Sequence, residues 1–305
     1  MGKTAVVFPG QGSQYPSMGK DFYEKYDEVK RIFDKADEVL GYSLTSIMFD
    51  GPEEELKLTF NTQPALLTMS VALWEIIKNK VRPDFFAGHS LGEYSALVVA
   101  GGISFEDAVL AVHNRGKFML EAVPAGKGGM AAVMGADDAV IAEVCKVVST
   151  PSSVVEPANF NCPGQTVVVG NIEAVNIFCE KIKEAGAKRA ILLPVSAPFH
   201  CSLMKPAAEK MAEYLKKITI NNLNTPVFNN VDAVQETDST TVYETLVRQV
   251  ASPVLWTKSV ENMAAAGVTS VIEVGAGKVL TGLVKKISRD VEVKNIGTVG
   301  DEDAL

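Results

Sequence analysis

The sequence predicts an α/β protein built on a mainly parallel sheet, with a smaller subdomain inserted into the larger one. Two observations support this fold class. Strand-like runs alternate with helical runs through most of the 305 residues, which is the pattern of a parallel sheet with crossover helices. The middle of the chain differs, because two strand-like runs follow one another between two helical runs.

The candidate strands of the larger sheet are short runs rich in β-branched and aromatic residues. They are Thr4 to Phe8, Phe85 to Ala87, Val227 to Asn229, Ser270 to Val274 and Val291 to Ile296. A helix is predicted to start at Pro206, because proline favours the first helical turn and the apolar residues after it recur every three or four positions.

The middle segment has the order strand, helix, strand, strand, helix, strand. Its runs are Gly129 to Met134, Asp137 to Val148, Ser153 to Ala158, Gln165 to Gly170, Ile172 to Ala185 and Arg189 to Pro194. This βαββαβ order is the ferredoxin-like pattern. We therefore expect residues 127–195 to form the small subdomain, and residues 1–126 and 196–305 to form the larger domain.

The pentapeptide Gly88-His89-Ser90-Leu91-Gly92 has the Gly-x-Ser-x-Gly spacing of a nucleophile elbow. It stands between a candidate strand and a helical run that ends at Gly101. On such a turn the serine Oγ is exposed above a helix N-terminus, and the glycines let the strand and the helix approach closely. Ser90 is therefore the candidate nucleophile, the alternative being an ordinary turn that contains a serine.

Three histidines are available as the base for this serine. His89 precedes Ser90 on the turn, where its side chain should point away, and His113 lies in the middle of a helical run. His200 follows Pro198-Phe199 in an irregular segment and comes after the serine in the chain, as in other proteins with this elbow. We expect His200 to be the base, the alternative being a structural histidine at the subdomain junction.

The group that would orient the imidazole is left open by the sequence. No acidic residue between Ser90 and His200 stands out as the third member of a triad. Any hydrogen-bond acceptor can hold the Nδ1 proton, so a backbone carbonyl or an amide side chain is an alternative.

The loop Gly10-Gln11-Gly12-Ser13-Gln14 directly follows the first candidate strand. It resembles the start of a dinucleotide-binding fingerprint, but Tyr15 occupies the position of the third glycine. A glycine-rich loop after a strand can instead present a free backbone N–H to a neighbouring site. With the N–H of Leu91, that of Gln11 would complete an oxyanion hole.

Arg115 distinguishes between classes of acyl substrate. It lies on the second helical run after the elbow. If its side chain points inward, the planar guanidinium is suited to a carboxylate bound by two parallel hydrogen bonds. The alternative is a solvated arginine on the helix surface.

Composition excludes several classes of function. The formal charge of -8 argues against general nucleic-acid binding, which requires a basic surface. No apolar run approaches the ~20 residues of a membrane helix, and the first apolar run is too short for a signal peptide. We therefore expect no membrane association and a cytoplasmic location. The four cysteines form no C-x-x-C pair, which favours reduced core thiols over a metal site or disulfides.

The chain as a whole resembles the malonyl-CoA:acyl carrier protein transacylases. Six spaced motifs carry the resemblance over nearly the whole chain, which is far more specific than one elbow. They are Gly10-Gln11-Gly12-Ser13-Gln14, Gln63-Pro64-Ala65, Gly88-His89-Ser90-Leu91-Gly92-Glu93-Tyr94, Arg115-Gly116, Pro198-Phe199-His200 and Ser252-Pro253-Val254. The resemblance implies an α/β-hydrolase-like large domain with an inserted ferredoxin-like subdomain.

The resemblance also implies a role for each matching residue around the nucleophile. Ser90 would accept the acyl group, and His200 would be its base. The backbone amides of Gln11 and Leu91 would be the oxyanion donors.

Four further residues match positions that bind the acyl group or support the base. Arg115 would bind the malonyl carboxylate. The backbone carbonyl of Gln249 would orient His200, which would explain the missing acid. Gln63 and Asn159 match positions that line the pocket.

The function implied by the resemblance is the transfer of a malonyl group from malonyl-CoA to the pantetheine thiol of acyl carrier protein. The reaction would pass through a malonyl ester on Ser90, with ping-pong kinetics, and would need no cofactor or metal beyond the two thioester substrates. Acyl carrier protein and the coenzyme A thioester are the implied partners, and we expect a monomer. The carrier is generally acidic, so we expect a local basic patch at Lys181, Lys183, Lys188 and Arg189 or at Lys285, Lys286 and Arg289.

Two other classes of function stay open. A serine hydrolase, such as a thioesterase, would use the same elbow and histidine, and a docking domain would keep the fold without the chemistry. Within the transfer reaction, methylmalonyl selectivity and a polyketide carrier are alternatives, because one methyl group changes selection by only about 1 to 3 kcal/mol.

Overall fold

The computed structural model describes residues 2–194 and 197–305. Within these ranges the chain forms ten strands: β1 (Lys3–Phe8), β2 (Phe85–Gly88), β3 (Gly128–Met134), β4 (Val155–Cys162), β5 (Gln165–Asn171), β6 (Arg189–Leu192), β7 (Val227–Phe228), β8 (Gln235–Glu236), β9 (Val268–Val274) and β10 (Glu292–Ile296). The same ranges contain thirteen α-helices: α1 (Lys20–Lys25), α2 (Asp27–Leu40), α3 (Leu44–Asp50), α4 (Glu53–Lys57), α5 (Thr59–Ile77), α6 (Gly92–Val99), α7 (Phe105–Glu121), α8 (Asp138–Val148), α9 (Ile172–Glu184), α10 (Lys205–Leu215), α11 (Ser239–Gln249), α12 (Trp256–Ala265) and α13 (Val279–Ile287).

Six strands form the larger sheet in the order β10-β9-β1-β2-β7-β8. Every neighbouring pair is parallel except β7 and β8. Strand β1 lies inside the sheet, and its side chains alternate between two cores, with Val6 and Phe8 in one and Ala5 and Val7 in the other. This burial on both faces explains why its sequence is continuously apolar. The predicted mainly parallel sheet is confirmed.

Four strands form a separate antiparallel sheet in the order β4-β5-β3-β6. Helices α8 and α9 cover it, and their buried residues share a core with Ala131, Val133 and Val168 of the strands. The strand order and the βαββαβ connectivity confirm the predicted ferredoxin-like subdomain. The predicted boundary between residues 195 and 196 lies outside the described residues, and the boundary at 126 and 127 stays a prediction.

Two strands of this sheet end at least two residues away from the position expected from the sequence. Strand β4 does not end at Ala158 but continues to Cys162, with register shifts at Pro157/Asn159 and at Phe160/Cys162. These irregularities break the alternation of apolar and polar residues from which a strand is read. Strand β6 ends at Leu192, two residues before the predicted end at Pro194.

Main-chain hydrogen bonds next to Asn159 join β4 of the small sheet to the segment that precedes α12. The N–H of Phe160 donates to the carbonyl of Val254 at 3.0 Å, and the N–H of Val254 donates to the carbonyl of Ala158 at 2.8 Å. The segment before α12 therefore pairs with the end of β4. This contact brings a side chain of the small subdomain to the carboxyl edge of the larger sheet.

Helix α5 shows why the region before β2 carries little helical periodicity. Nearly all of its residues are buried, so it has no polar face to mark the helix in the sequence. It packs against α7, and together these helices hold Gln63 and Arg115. In the described part of the chain, none of the helices has the length and apolar character needed to cross a lipid bilayer.

Candidate active site

Ser90 lies on a tight turn between the end of β2 at Gly88 and the start of α6 at Gly92. Its backbone is left-handed, with φ of 54°, which is a strained conformation for a residue other than glycine. A Cβ at Gly88 would lie 1.9 Å from the carbonyl carbon of Gly92, and one at Gly92 would lie 2.2 Å from the carbonyl oxygen of Phe8. Both glycines are therefore required, and the turn has the geometry of a nucleophile elbow.

Asn230, which the sequence reasoning missed, fastens this turn. Its side-chain Oδ1 accepts a hydrogen bond from the N–H of Ser90 at 2.7 Å, and its Nδ2 donates to the carbonyl of Gly88 at 2.7 Å. The residue follows β7, the parallel neighbour of β2. An asparagine at the carboxyl end of the adjacent strand was the available signal, but β7 is only two residues long.

His200 contacts the serine directly, as predicted for the base. Its Nε2 lies 2.6 Å from Ser90 Oγ, and its Nδ1 lies 2.9 Å from the carbonyl oxygen of Gln249. A carbonyl can only accept, so Nδ1 carries the proton and Nε2 is free to accept the serine O–H. The structure thus places a backbone carbonyl in the position that an acid holds in a Ser-His-Asp triad.

The other two histidines bind elsewhere. His89 Nε2 lies 2.9 Å from Asn161 Oδ1, and His113 Nδ1 lies 2.8 Å from the carbonyl oxygen of Phe60. Neither contacts Ser90 Oγ, as expected from their positions in the sequence.

The surroundings of His200 keep its imidazole neutral. Burial, and then the positive charge of Arg115, lower the pKa of His200 to about 3. A neutral imidazole is the form that can accept the serine proton, so the base is ready at neutral pH.

This lowered pKa gives a testable dependence of stability on pH. Between about pH 3 and about pH 6.5 the unfolded chain would protonate His200 while the folded protein would not, so stability is lost as pH falls below about 6.5. Going from about pH 7 to about pH 5, wild type should lose about 2 kcal/mol more of its unfolding free energy than His200→Gln. Urea unfolding at the two pH values measures the difference. Equal losses in the two proteins would contradict the lowered pKa.

Arg115 is fully buried on α7, not solvated, and its guanidinium points at the nucleophile. Its Nη1 donates to Gln63 Oε1 at 2.8 Å, and its Nη2 donates to Gln249 Oε1 at 2.9 Å and to Ser90 Oγ at 3.1 Å. These protein acceptors are all neutral. Burial lowers the pKa of Arg115, and no carboxylate in the described part of the chain forms an ion pair with it. A buried cation with neutral partners favours an anionic ligand.

Gln11 and Leu91 present unused backbone donors to the same site. Strands β1 and β2 are parallel neighbours in which Phe8 pairs with Gly88, so the loops that follow them meet at one edge of the sheet. Among residues 2–194 and 197–305, neither the N–H of Gln11 nor that of Leu91 has an acceptor. Both residues line the cavity beside Ser90, which is the arrangement an oxyanion hole requires.

The cavity above Ser90 has a volume of about 310 Å³ and lies between the two sheets. It is lined by seven of the eight predicted site residues: Gln11, Gln63, Ser90, Leu91, Arg115, Asn159 and His200. Asn159 belongs to β4 and is the small subdomain's polar contribution, beside Met130 of β3. Gln249 is the eighth. It does not line the cavity, but it bonds His200 and Arg115, which do. A serine with a neutral base, free amide donors and a buried cation can carry out acyl transfer on an anionic acyl group.

Comparison with known proteins shows one family along nearly the whole chain. A model of the acyl transferase domain matches residues 5–301. The malonyl CoA-acyl carrier protein transacylase of Bacillus subtilis (strain 168) is 52% identical over 290 residues, which are 95% of this chain and 92% of that protein. The protein of the same name from Escherichia coli (strain K12) is 54% identical over 289 residues, with 94% and 93% covered.

Solved structures agree with this relationship. A crystal structure of an acyl carrier protein S-malonyltransferase from Vibrio cholerae has a TM-score of 0.96 at 50% identity, covering 99% of both chains. A complex of a type II PKS acyl-carrier protein with its malonyl-transacylase contains a chain that matches with a TM-score of 0.97 at 45% identity, covering 99% of this chain and 98% of that one. The chain therefore belongs to the acyl transferase domain family and, within it, to the malonyl CoA-acyl carrier protein transacylases.

Proposed function

We propose that this protein transfers a malonyl group from malonyl-CoA to the pantetheine thiol of acyl carrier protein, through an ester on Ser90. The observation that carries the proposal is the buried Arg115 guanidinium, 3.1 Å from the Oγ of a serine that already contacts a neutral imidazole. An apolar acyl group would give no reason to bury this charge, whereas the carboxylate of a malonyl group would bind it.

In the first half-reaction, the malonyl carboxylate binds Arg115, and the thioester carbonyl oxygen faces the amides of Gln11 and Leu91. His200 Nε2 takes the Ser90 proton as Oγ attacks the carbonyl carbon. The C–S bond then breaks, and the coenzyme A sulfur leaves with the proton from the imidazolium. The two amides stabilise the charge on the oxygen, and the loss of one such donor costs about 3 to 4 kcal/mol in known enzymes.

In the second half-reaction, the carrier's pantetheine thiol enters the site that coenzyme A has left. His200 takes the thiol proton while the sulfur attacks the malonyl ester, and the proton passes to Ser90 Oγ as the ester bond breaks. Nucleophile, base, oxyanion donors and carboxylate ligand all come from the chain, so the proposed reaction uses no metal or cofactor.

The carrier is part of the proposal. Most of the relatives compared above are named for an acyl carrier protein, and one solved relative is a complex with such a protein. We propose the same partner class here, with fatty acid synthesis as the pathway supplied, a monomer as the active form and the cytoplasm as its location. The basic residues Lys181, Lys188 and Lys286 are exposed and belong to the two candidate docking clusters.

Intact-mass measurement after mixing with malonyl-CoA tests the proposal. Wild type should gain the mass of one malonyl group and lose it again when the phosphopantetheinyl carrier is added, whereas Ser90→Ala should gain none. Rapid release of free malonate without carrier would instead identify a thioesterase. A wild-type protein that never forms the adduct would be a docking domain without this chemistry.

A further inference from the structure

Glu93 is a buried carboxyl group that the proposed reaction does not use. It lies in the first turn of α6, three residues after the nucleophile, and its side chain is inaccessible to solvent. Its Oε2 accepts two hydrogen bonds, from the N–H of Asn230 at 2.8 Å and from Gln249 Nε2 at 3.0 Å. Its Oε1 has no partner among the residues that the structure describes. Burying a carboxyl group costs free energy, so we expect this side chain to have a role in the site.

The bond to Gln249 determines which way that carboxamide faces. Gln249 Nε2 donates to Glu93 Oε2 and to the carbonyl oxygen of Ser90, at 3.0 Å each. Both of its protons are therefore used, and its Oε1 is turned to accept from Arg115 Nη2 at 2.9 Å. If the carboxamide were reversed, its NH₂ group would face the NH₂ group of Arg115, and two donors would meet without an acceptor.

The same carboxyl group supports the elbow through Asn230. The N–H of Asn230 donates to Glu93, and the Asn230 side chain bonds the N–H of Ser90 and the carbonyl of Gly88. Glu93 thus bonds both Asn230, which holds the turn of the nucleophile, and Gln249, which holds Arg115.

Glu93 can orient Arg115 without neutralising it. Gln249 stands between the two side chains, and Glu93 forms no ion pair with Arg115. Burial, and then the charge of Glu236, raise the pKa of Glu93, which favours its uncharged form. The positive charge of Arg115 is then left for the substrate.

We propose that Glu93 is a positioning residue for recognition of the acyl carboxylate, because through Gln249 it holds the Arg115 guanidinium in the orientation that a carboxylate-bearing acyl group requires. The proposal rests on the proposed function of the site. It predicts a selective effect. Without the acceptor at position 93, Gln249 is free to rotate and Arg115 loses a fixed partner. Acylation by a carboxylate-bearing donor should therefore be impaired more than acylation by an uncharged one.

A matched pair of substitutions isolates the acceptor. Glu93→Met keeps the length and approximate volume of the side chain but removes its polar atoms. Glu93→Gln keeps one carbonyl oxygen that can accept from both Asn230 and Gln249. Each variant is acylated by malonyl-CoA and by p-nitrophenyl acetate, an uncharged ester that reacts with Ser90 without the need for a carboxylate ligand, and the reaction of Ser90→Ala is subtracted.

The expected result is a change in the ratio of the acylation rates with malonyl-CoA and with p-nitrophenyl acetate. In Glu93→Met, the malonyl-CoA concentration that gives a half-maximal acylation rate should rise by at least about tenfold relative to wild type, while the rate of acylation by p-nitrophenyl acetate should change by less than about threefold. Glu93→Gln should restore the wild-type ratio. An equal loss with both substrates in Glu93→Met would mean that the carboxyl group serves only the stability of the fold, and it would overturn the proposal.

Two further variants keep the test decisive. If Glu93→Met does not fold, Glu93→Asp takes its place, since it keeps a polar group but withdraws the acceptor from Gln249, and it should show the same selective loss to a smaller degree. An unchanged ratio in Glu93→Asp would then overturn the proposal.

The double variant of Glu93→Met and Gln249→Met tests the route. Because Glu93 acts through Gln249, the double variant should have the same ratio as Gln249→Met alone, and additive changes would contradict that route.

These outcomes are distinct from failure of the proposed function. If wild type reacted with p-nitrophenyl acetate but not with malonyl-CoA, the malonyl transfer itself would be wrong. The role of Glu93 is judged only from the ratio between variants of a protein that accepts both donors.

Discussion

Replacing His200 with alanine should lower the rate of Ser90 acylation by malonyl-CoA by about 100-fold to 10,000-fold, the usual contribution of a general base. Of the three histidines, all of them in the described ranges, His200 is the one whose ring bonds Ser90 Oγ, at 2.6 Å. Its lowered pKa keeps it neutral at about pH 7, so wild type holds the base in its active form and the variant has no substitute. Single-turnover acylation followed by intact mass measures the rate without any contribution from the carrier.

His113→Ala is the matched control for this substitution. His113 is partly buried, and its ring, like that of His200, bonds a backbone carbonyl, but the carbonyl belongs to Phe60, away from the serine. We expect its acylation rate to stay within about threefold of wild type. If both alanine variants were equally slow, a general loss of packing would explain the effect, and His200 would not be the base.

The sequence predicts the local parts of the site well. An elbow depends on glycines within two residues of the serine, so its signal is contained in Gly88-His89-Ser90-Leu91-Gly92. His200 could be chosen because only three histidines exist and the other two occupy unsuitable positions. By contrast, the carbonyl of Gln249 belongs to the backbone, and a backbone group leaves no mark in the residue types. It could be anticipated only from the resemblance to a family.

The parts that the sequence does not reveal depend on tertiary neighbours. Asn230 acts on the elbow only because β7, a two-residue strand, pairs beside β2. Glu93 reads in the sequence as a polar residue in the first turn of a helix, where acidic residues are common and usually exposed. Its burial follows from the contact of α6 with α11 and with the loop after β7, which no local pattern indicates.

The inserted subdomain also takes part in holding the base. His200 has a left-handed backbone with φ of 65°, so its conformation requires support from its neighbours. Two residues later, the N–H of Ser202 donates to Glu156 Oε2 at 2.9 Å, and Glu156 belongs to β4 of the small sheet. The insertion thus contributes the Asn159 side chain to the cavity and a carboxylate that anchors the chain segment carrying His200.

Replacing Arg115 with alanine should reduce kcat/KM for malonyl-CoA by about 30-fold to several thousandfold, equivalent to about 2 to 5 kcal/mol for removing one partner of a buried charge pair. Transfer from acetyl-CoA should be spared or improved. The charge of Arg115 is one of the causes that lower the pKa of His200, so its removal makes the imidazole a stronger base for an uncharged donor. Steady-state kinetics with the two thioesters and one carrier measure both effects.

Two further variants separate the charge of Arg115 from its shape and its position. Arg248→Ala removes an exposed arginine of α11, which pairs with Asp232 outside that helix, and it should leave the rates with both substrates nearly unchanged. Arg115→Lys keeps a positive charge but loses the planar fork that holds Gln63, Gln249 and the substrate at once. If charge alone selects the acyl group, lysine should recover most of the malonyl preference; if the fork is required, it should recover little. Equal losses with malonyl-CoA and acetyl-CoA in Arg115→Ala would rule out a carboxylate ligand at this position, whichever way the lysine variant behaves.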